Sequence, residues 1–204
     1  MRKLGSSIVA ALSVAFIGGW TTDSQAQVFQ TGPWSGLYLG GHGGYGWESG
    51  SGSGLQGATY GVQAGYNLQL GPAVLGVEAD YSWSDAKDTG VSGLTNWTAR
   101  LDSMWSVRAR LGAMIGSNVL LYGTAGYGAY DISLTGRIVT PLVAGNISAS
   151  AYTSSFVVGG GAELLLTRNI MLRAEALHFT RGADELVVDT GGLTVLRLGA
   201  SYKF

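Results

Sequence analysis

ATYGVQAGYNLQL, residues 58 to 70, alternates without a break: Ala58, Tyr60, Val62, Ala64, Tyr66, Leu68 and Leu70 fall on one face, and Thr59, Gly61, Gln63, Gly65, Asn67 and Gln69 on the other. A period of two is the signature of a β-strand. Thirteen residues is more than twice the usual strand of a soluble domain, about five or six, whereas a tilted strand crossing a lipid bilayer needs about nine to eleven. The length points at lipid.

The neighbouring stretches carry the same pattern. AVLGVEADYSW, residues 73 to 83, sets Ala73, Leu75, Val77, Ala79, Tyr81 and Trp83 against Glu78 and Asp80. Residues 97 to 113 read with Trp97, Ala99, Leu101, Trp105, Val107, Ala109 and Leu111 outward, and Arg100, Asp102, Arg108 and Arg110 inward. Five more strands are expected over 35 to 48, 119 to 132, 155 to 166, 170 to 180 and 194 to 204.

The connections alternate strictly. Gly71-Pro72, Gly116-Ser117-Asn118 and Thr167-Arg168-Asn169 are tight-turn chemistry, while 48 to 57, 84 to 96, 135 to 150 and 181 to 192 are long. In a bilayer core every backbone polar group must be paired within the protein, so a spanning sheet has to close. The pattern therefore predicts an all-β fold: an eight-stranded antiparallel transmembrane barrel, an up-and-down meander with short periplasmic turns and four long extracellular loops. A soluble eight-stranded barrel would invert the faces. Against it stand the aromatics Tyr45, Trp47, Tyr81, Trp83, Trp97, Trp105, Tyr202 and Phe204, which cluster toward strand ends as interfacial belts do.

Composition agrees. Charged residues make up 12% of the chain, about half the share of a soluble domain. Net charge is −1, so there is no basic footprint for nucleic acid, and the chain has no cysteine to supply a disulfide, thiolate ligand or thiol nucleophile. Arg2 and Lys3, the apolar run Ile8 to Trp20 and Ser24-Gln25-Ala26 read as a secretory signal peptide over residues 1 to 26, leaving 27 to 204 as the barrel domain. The expected location is the cell outer membrane, with export through the inner membrane.

The inward face by this assignment holds Glu48, Glu78, Asp80, Asp102, Glu163 and Glu175 against Arg100, Arg108, Arg110, Arg173, Arg197 and Lys203, six of each sign. Such a balance suits a confined interior, where an unpaired charge costs several kcal/mol. A lumenal ion-pair network is expected from Glu78, Asp80, Arg108, Arg110, Glu163, Arg173, Glu175 and Arg197, with Glu78 and Asp80 facing Arg108 and Arg110 across neighbouring strands.

Three blocks carry a family resemblance. Pro33-Trp34-Ser35-Gly36-Leu37-Tyr38-Leu39-Gly40-Gly41 running into GYGW at 44 to 47, LLYGTAGYGAYD at 120 to 131, and VVGGGAELLLTRNIMLRAEALHFTRG at 157 to 182 resemble the alphaproteobacterial outer-membrane β-barrels of porin-family, surface-antigen type. Gly159, Gly161, Glu163, Arg173 and Glu175 match positions usually so occupied, whereas Ala176 and His178 stand where the family commonly has aromatics. The alternating close Leu196, Leu198, Ala200, Tyr202, Phe204 resembles the signal read by the outer-membrane assembly machinery, with Tyr202 and Phe204 as its key residues. The resemblance implies an abundant envelope component and surface antigen.

The leading functional expectation is a structural barrel without catalytic residues, cofactor or metal, contributing to envelope integrity. Its expected partners are outer-membrane lipid and lipopolysaccharide, the assembly machinery, and a host or surface partner reached through the loops. The alternative is a narrow pore or small-ligand channel. A lipid A-modifying acyl hydrolase would rest on His178 and Thr180, two residues apart on one face, with Asp184 and Glu185 behind them. Against it, His178 reads as an interfacial girdle residue. A haem or metal role for His42 would need Cys, Met or a second His nearby, and without them it reads as lumen filling. The 135 to 150 loop, with its apolar run IVTPLVAG, either makes a partner contact or extends the flanking strands into a hairpin above the membrane.

Overall fold

The computed structural model describes residues 32–49, 54–92, 95–139, 144–180 and 192–204. The expected signal peptide lies outside them, as do Asp184 and Glu185. Nine strand segments follow in order: β1 Gly36–Ser49, β2 Gln56–Leu70, β3 Ala73–Ser84, β4 Lys87–Ser92, β5 Thr95–Ile115, β6 Val119–Val139, β7 Ala144–Leu165, β8 Ile170–Thr180 and β9 Gly192–Lys203. β3 and β4 pair in succession with the same strand, β5, and form one stave interrupted at Asp85-Ala86. All pairings are antiparallel, and β1 meets β9 from Tyr38↔Lys203 to Ser49↔Gly192, so the eight staves close on themselves. The eight-stranded barrel read from periodicity and turns is the fold observed.

The turns form where the sequence supplies the required backbone. Gly71 sits at φ +62° before Pro72, the combination that a two-residue turn between twisted strands favours. Gly116 likewise opens the β5–β6 turn at φ +68°.

The faces alternate as expected in β2, where Tyr60, Val62 and Tyr66 are about half exposed and Thr59, Gln63 and Asn67 are buried. Two aromatic bands bound the outward apolar zone. At the turn end lie Tyr66, Tyr202 and Phe204. At the loop end Tyr60, Tyr81 and Trp83 form one cluster, and Trp105, Tyr127 and Phe156 another, with ring centroids 5.1 to 6.3 Å apart. From Trp105 to Ile115 the chain advances about ten residues at ~3.3 Å each; tilted by about 40°, that gives roughly 25 Å, the height of an outer-membrane apolar band.

Three staves run far beyond that band. β5, β6 and β7 contain 21, 21 and 22 residues. Much of what reads as loop over 84 to 96 and 135 to 150 is therefore strand: β4 pairs with β5, and β6 pairs with β7 up to Val139↔Ala144. The hairpin reading of the 135 to 150 segment describes the residues seen there, while residues 140 to 143 of its apolar run lie outside the described ones.

The expected faces of residues 97 to 102 are inverted. The register of β5 against β6 shifts between Leu101 and Ser103, so Asp102 is an extra residue and every side chain above it changes face. Leu101 is fully buried and Ala99 nearly so, whereas Arg100 and Asp102 are exposed. Ser133 donates a hydrogen bond to Asp102 on the outer surface. Trp97, expected in the interfacial girdle, pairs in register with Gly90 and Gly136, eight residues above Trp105, and belongs to the protruding sheet.

The interior is stacked in three layers. Trp34, Tyr38, Val74, Leu120, Leu165 and Met171 fill the turn end, backed by Met114. Leu101, Met104, Tyr130, Val157, Leu177, Phe179, Leu193 and Val195 fill the loop end with Leu55 and Ala86. The buried charges lie between them. If the bulge sets the faces, Leu101→Ala should destabilise the refolded barrel by about 2 to 5 kcal/mol in urea titration, and Asp102→Ala by less than about 0.5 kcal/mol. The opposite ranking would restore the unbulged register.

Candidate functional site

All eight residues expected in the lumenal network are buried in the middle layer: Glu78 and Asp80 on β3, Arg108 and Arg110 on β5, Glu163 on β7, Arg173 and Glu175 on β8, and Arg197 on β9. Alternation places each of them inward, and cross-strand register places them at one height. Glu78 opposes Arg108, Glu163 opposes Arg173, and Glu175 opposes Arg197. Arg100 and Asp102 are absent from this layer because of the bulge, and Glu48 and Lys203 are only partly buried, near the two ends of the barrel. Each correction removes one charge of each sign, so the remaining layer is still neutral.

Glu78 is the centre of the layer. It receives Arg108 and Arg173 at 2.6 Å each, with Arg110 at 3.4 Å and Arg197 at 3.5 Å. Arg173 also reaches Glu163 at 2.6 Å, and Arg110 reaches it at 2.9 Å. Arg197 meets Glu175 at 2.6 Å and Asp80 at 3.4 Å, and Arg108 bridges Asp80 at 2.7 Å and Glu175 at 3.2 Å. Every guanidinium thus touches at least two carboxylates. In a low-dielectric interior this multiplicity offsets desolvation that a single pair would leave uncompensated.

Neutral side chains complete the shell, and the sequence reading had not assigned them to it. The Tyr38 hydroxyl donates to Glu78 at 2.5 Å while accepting from Arg110 at 2.8 Å, and the Tyr122 hydroxyl donates to Glu175 at 2.7 Å. Ser106 donates to Asp80 at 2.7 Å, and the Arg110 guanidinium lies 4.0 Å from the centre of the Tyr122 ring. Parity could have found both tyrosines, since each sits between residues of the outward face.

Space for these side chains comes from glycine. A Cβ on Gly126 would collide with the backbone and side chain of Arg108, and one on Gly65 with the Tyr38 ring. Both are register partners on neighbouring strands, Tyr38 opposite Gly65 and Arg108 opposite Gly126, so each large side chain lies over a glycine that leaves it room.

His42 is buried in the same layer. Its Nδ1 lies 2.9 Å from the Gln63 amide oxygen, which can only accept, so Nδ1 carries the proton. Nε2 then accepts from Ser82 at 2.8 Å and from Arg197 at 3.4 Å. Both ring nitrogens are engaged, and among the described residues no group of three His, Cys, Asp or Glu side chains is placed to hold a metal. His178 and Thr180 have separate partners: His178 Nδ1 lies 3.0 Å from the Thr194 hydroxyl, and the Thr180 oxygen accepts the Phe156 amide at 3.1 Å.

With this geometry in view, the comparisons with known proteins are specific. The family described as outer membrane protein beta-barrel domain matches residues 10–204. A 22 kDa outer membrane protein of Rhizobium leguminosarum bv. viciae is 33% identical over 193 residues, covering 88% of this chain and 82% of that protein. A 25 kDa outer-membrane immunogenic protein of Brucella abortus biovar 1 is 30% identical over 186 residues, covering 84% and 79%. In fold, the chain is similar to Ail, the attachment invasion locus protein of Yersinia pestis, crystallised with the heparin analogue sucrose octasulfate: TM-score 0.53, 18% identity, 83% of this chain and 97% of that one.

Removing one cation from the neutral middle layer should leave a net negative charge buried there, shared among carboxylates that keep fewer partners. Arg108→Met is expected to cost about 3 to 5 kcal/mol in urea unfolding from vesicles, and Arg100→Met less than about 0.5 kcal/mol. Equal costs would place both arginines in the same environment and contradict the layer.

Proposed function

Because this chain belongs to the outer membrane protein beta-barrel family, we propose that it is a structural barrel of the outer membrane that conducts nothing through its lumen and meets the outside through its protruding sheet and loops. The observation that carries this reading is the filled cross-section: a neutral, fully interconnected layer of eight charges between two apolar layers. An ion entering from either end would meet a layer of buried tryptophan, leucine or phenylalanine before reaching the middle layer of charges. Eight strands enclose an interior that side chains can fill completely.

The outward apolar band and its aromatic borders support contact with outer-membrane lipid and lipopolysaccharide. Exposed Tyr202 and Phe204 at the end of β9 suit reading by the assembly machinery. Strand pairing raises the β5–β7 sheet about ten residues, roughly 30 Å of chain, above Trp105, which supports a role for it in surface contact. The narrow-pore alternative predicts stable conductance; the acyl-hydrolase alternative predicts that His178→Ala alters the lipid A mass spectrum of the host.

The test is current across a planar bilayer containing the refolded chain. The closed lumen predicts no steps above the protein-free membrane, and reproducible steps from the intact barrel would overturn it. A deletion strain supplies the second readout: if the barrel itself serves envelope integrity, a chain with residues 135 to 150 cut to a tight turn restores bile-salt resistance, whereas rescue by the full chain alone assigns the role to the protruding sheet.

A further inference from the structure

The arginines of the middle layer each touch two or more carboxylates, but two cations at the turn end touch none. Arg168 lies in the β7–β8 turn and Lys203 at the end of β9, and neither forms an ion pair among the described residues. No Asp or Glu lies in the turns 71–72, 116–118 or 167–169, and the Phe204 α-carboxylate, the one anion beside the two cations among the described residues, forms an ion pair with neither and offsets only one of their two charges.

The two cations are held side by side. The Lys203 amide donates to the Asn169 carbonyl at 2.7 Å, and the Asn169 side-chain amide donates to the Lys203 carbonyl at 2.7 Å, which locks the chain end to the turn that carries Arg168. Lys203 Nζ donates to the Ser35 carbonyl at 3.3 Å, leaving two of its three donors for another partner. Both side chains line a cavity of about 490 Å³ with Ser35, Gly36, Tyr66 and Phe204. Gly36 adopts φ +129°, and a Cβ there would lie 3.0 Å from the Phe204 carbonyl, so its backbone can pass close beside the chain end. Tyr66 and Phe204 belong to the turn-end aromatic band, which puts this cavity at the level of lipid headgroups.

We infer that this cavity binds the phosphate of an anionic phospholipid headgroup in the membrane leaflet at the turn end, gripped between Arg168 and Lys203. A guanidinium offers a phosphate two parallel donors and an ammonium adds a point charge, while the flanking aromatic rings pack against glycerol and the upper acyl chain. Adjacent like charges repel, and a phosphate between them turns that repulsion into attraction for both. The inference rests on the membrane placement proposed above but not on the closed lumen, so its failure would leave the bilayer-current result untouched.

The experiment is native mass spectrometry of the full chain in detergent with phosphatidylglycerol, phosphatidylcholine or inorganic phosphate added. Phosphatidylglycerol should be retained in preference to phosphatidylcholine. Its retention should fall about 30-fold in R168Q/K203Q and about fivefold in R168Q alone, and should return in the charge-conserving R168K/K203R. The heat-dependent gel shift of folded barrels reports folding of each variant; if the double variant does not fold, R168Q, in an exposed turn, decides. Unchanged retention in the variants would overturn the inference, as would equal retention of phosphatidylcholine. Displacement of the lipid by millimolar inorganic phosphate would make the ligand a free anion and overturn it as well.

Discussion

Four carboxylates and four guanidiniums meet inside the barrel with their side chains almost wholly buried, and the rest of the structure is arranged so that they can. Each charge comes from a strand whose opposite face is apolar, so placing that face in lipid turns the charge inward. Once inside, a charge is tolerated only with partners. Sharing one carboxylate, Glu78, among four arginines gives the layer its connectivity across strands β3, β5, β8 and β9.

That arrangement explains a composition that would otherwise be odd. Arginine and tyrosine side chains in a narrow interior need room, and glycines opposite them on the neighbouring strand, Gly65 beside Tyr38 and Gly126 beside Arg108, supply it by having no side chain of their own. The same glycines help a small sheet curve. Trp34 and its neighbours lie on one side of the layer, and Leu101, Phe179 and Leu193 on the other, so the ion pairs sit between apolar surroundings. The closed lumen proposed for this barrel would then follow from how the charges are stabilised.

Much of this was legible because a period of two is unambiguous in a strand that faces lipid on one side. Glu78, Asp80, Arg108 and Arg110 could be placed inward from alternation alone, as could the residues of 170 to 180. What escaped was whatever alternation does not encode. A single extra residue at Asp102 reverses the faces above it, and nothing in WTARLDSMW marks the insertion, because Arg100 and Asp102 read equally well as a lumenal pair. The polar, small residues of 144 to 150 look like loop, yet pairing with β6 makes them strand, a decision taken by the partner rather than by local preference. Tyr38 and Tyr122 were visible in parity but masked by the expectation that aromatic residues face the membrane.

The most direct test of the central claim is a double-mutant cycle across the best-formed lumenal pair, Arg197 and Glu175, whose Nε and Nη2 both lie 2.6 Å from the same carboxylate oxygen. Urea unfolding of the wild type, Arg197→Met, Glu175→Gln and the double variant would give the coupling. A charge layer that holds the barrel together predicts a favourable coupling of about 1 to 3 kcal/mol, with the double variant more stable than the two single losses add up to. Additive losses, with coupling within about 0.3 kcal/mol of zero, would mean the charges are individually solvated and would contradict the account.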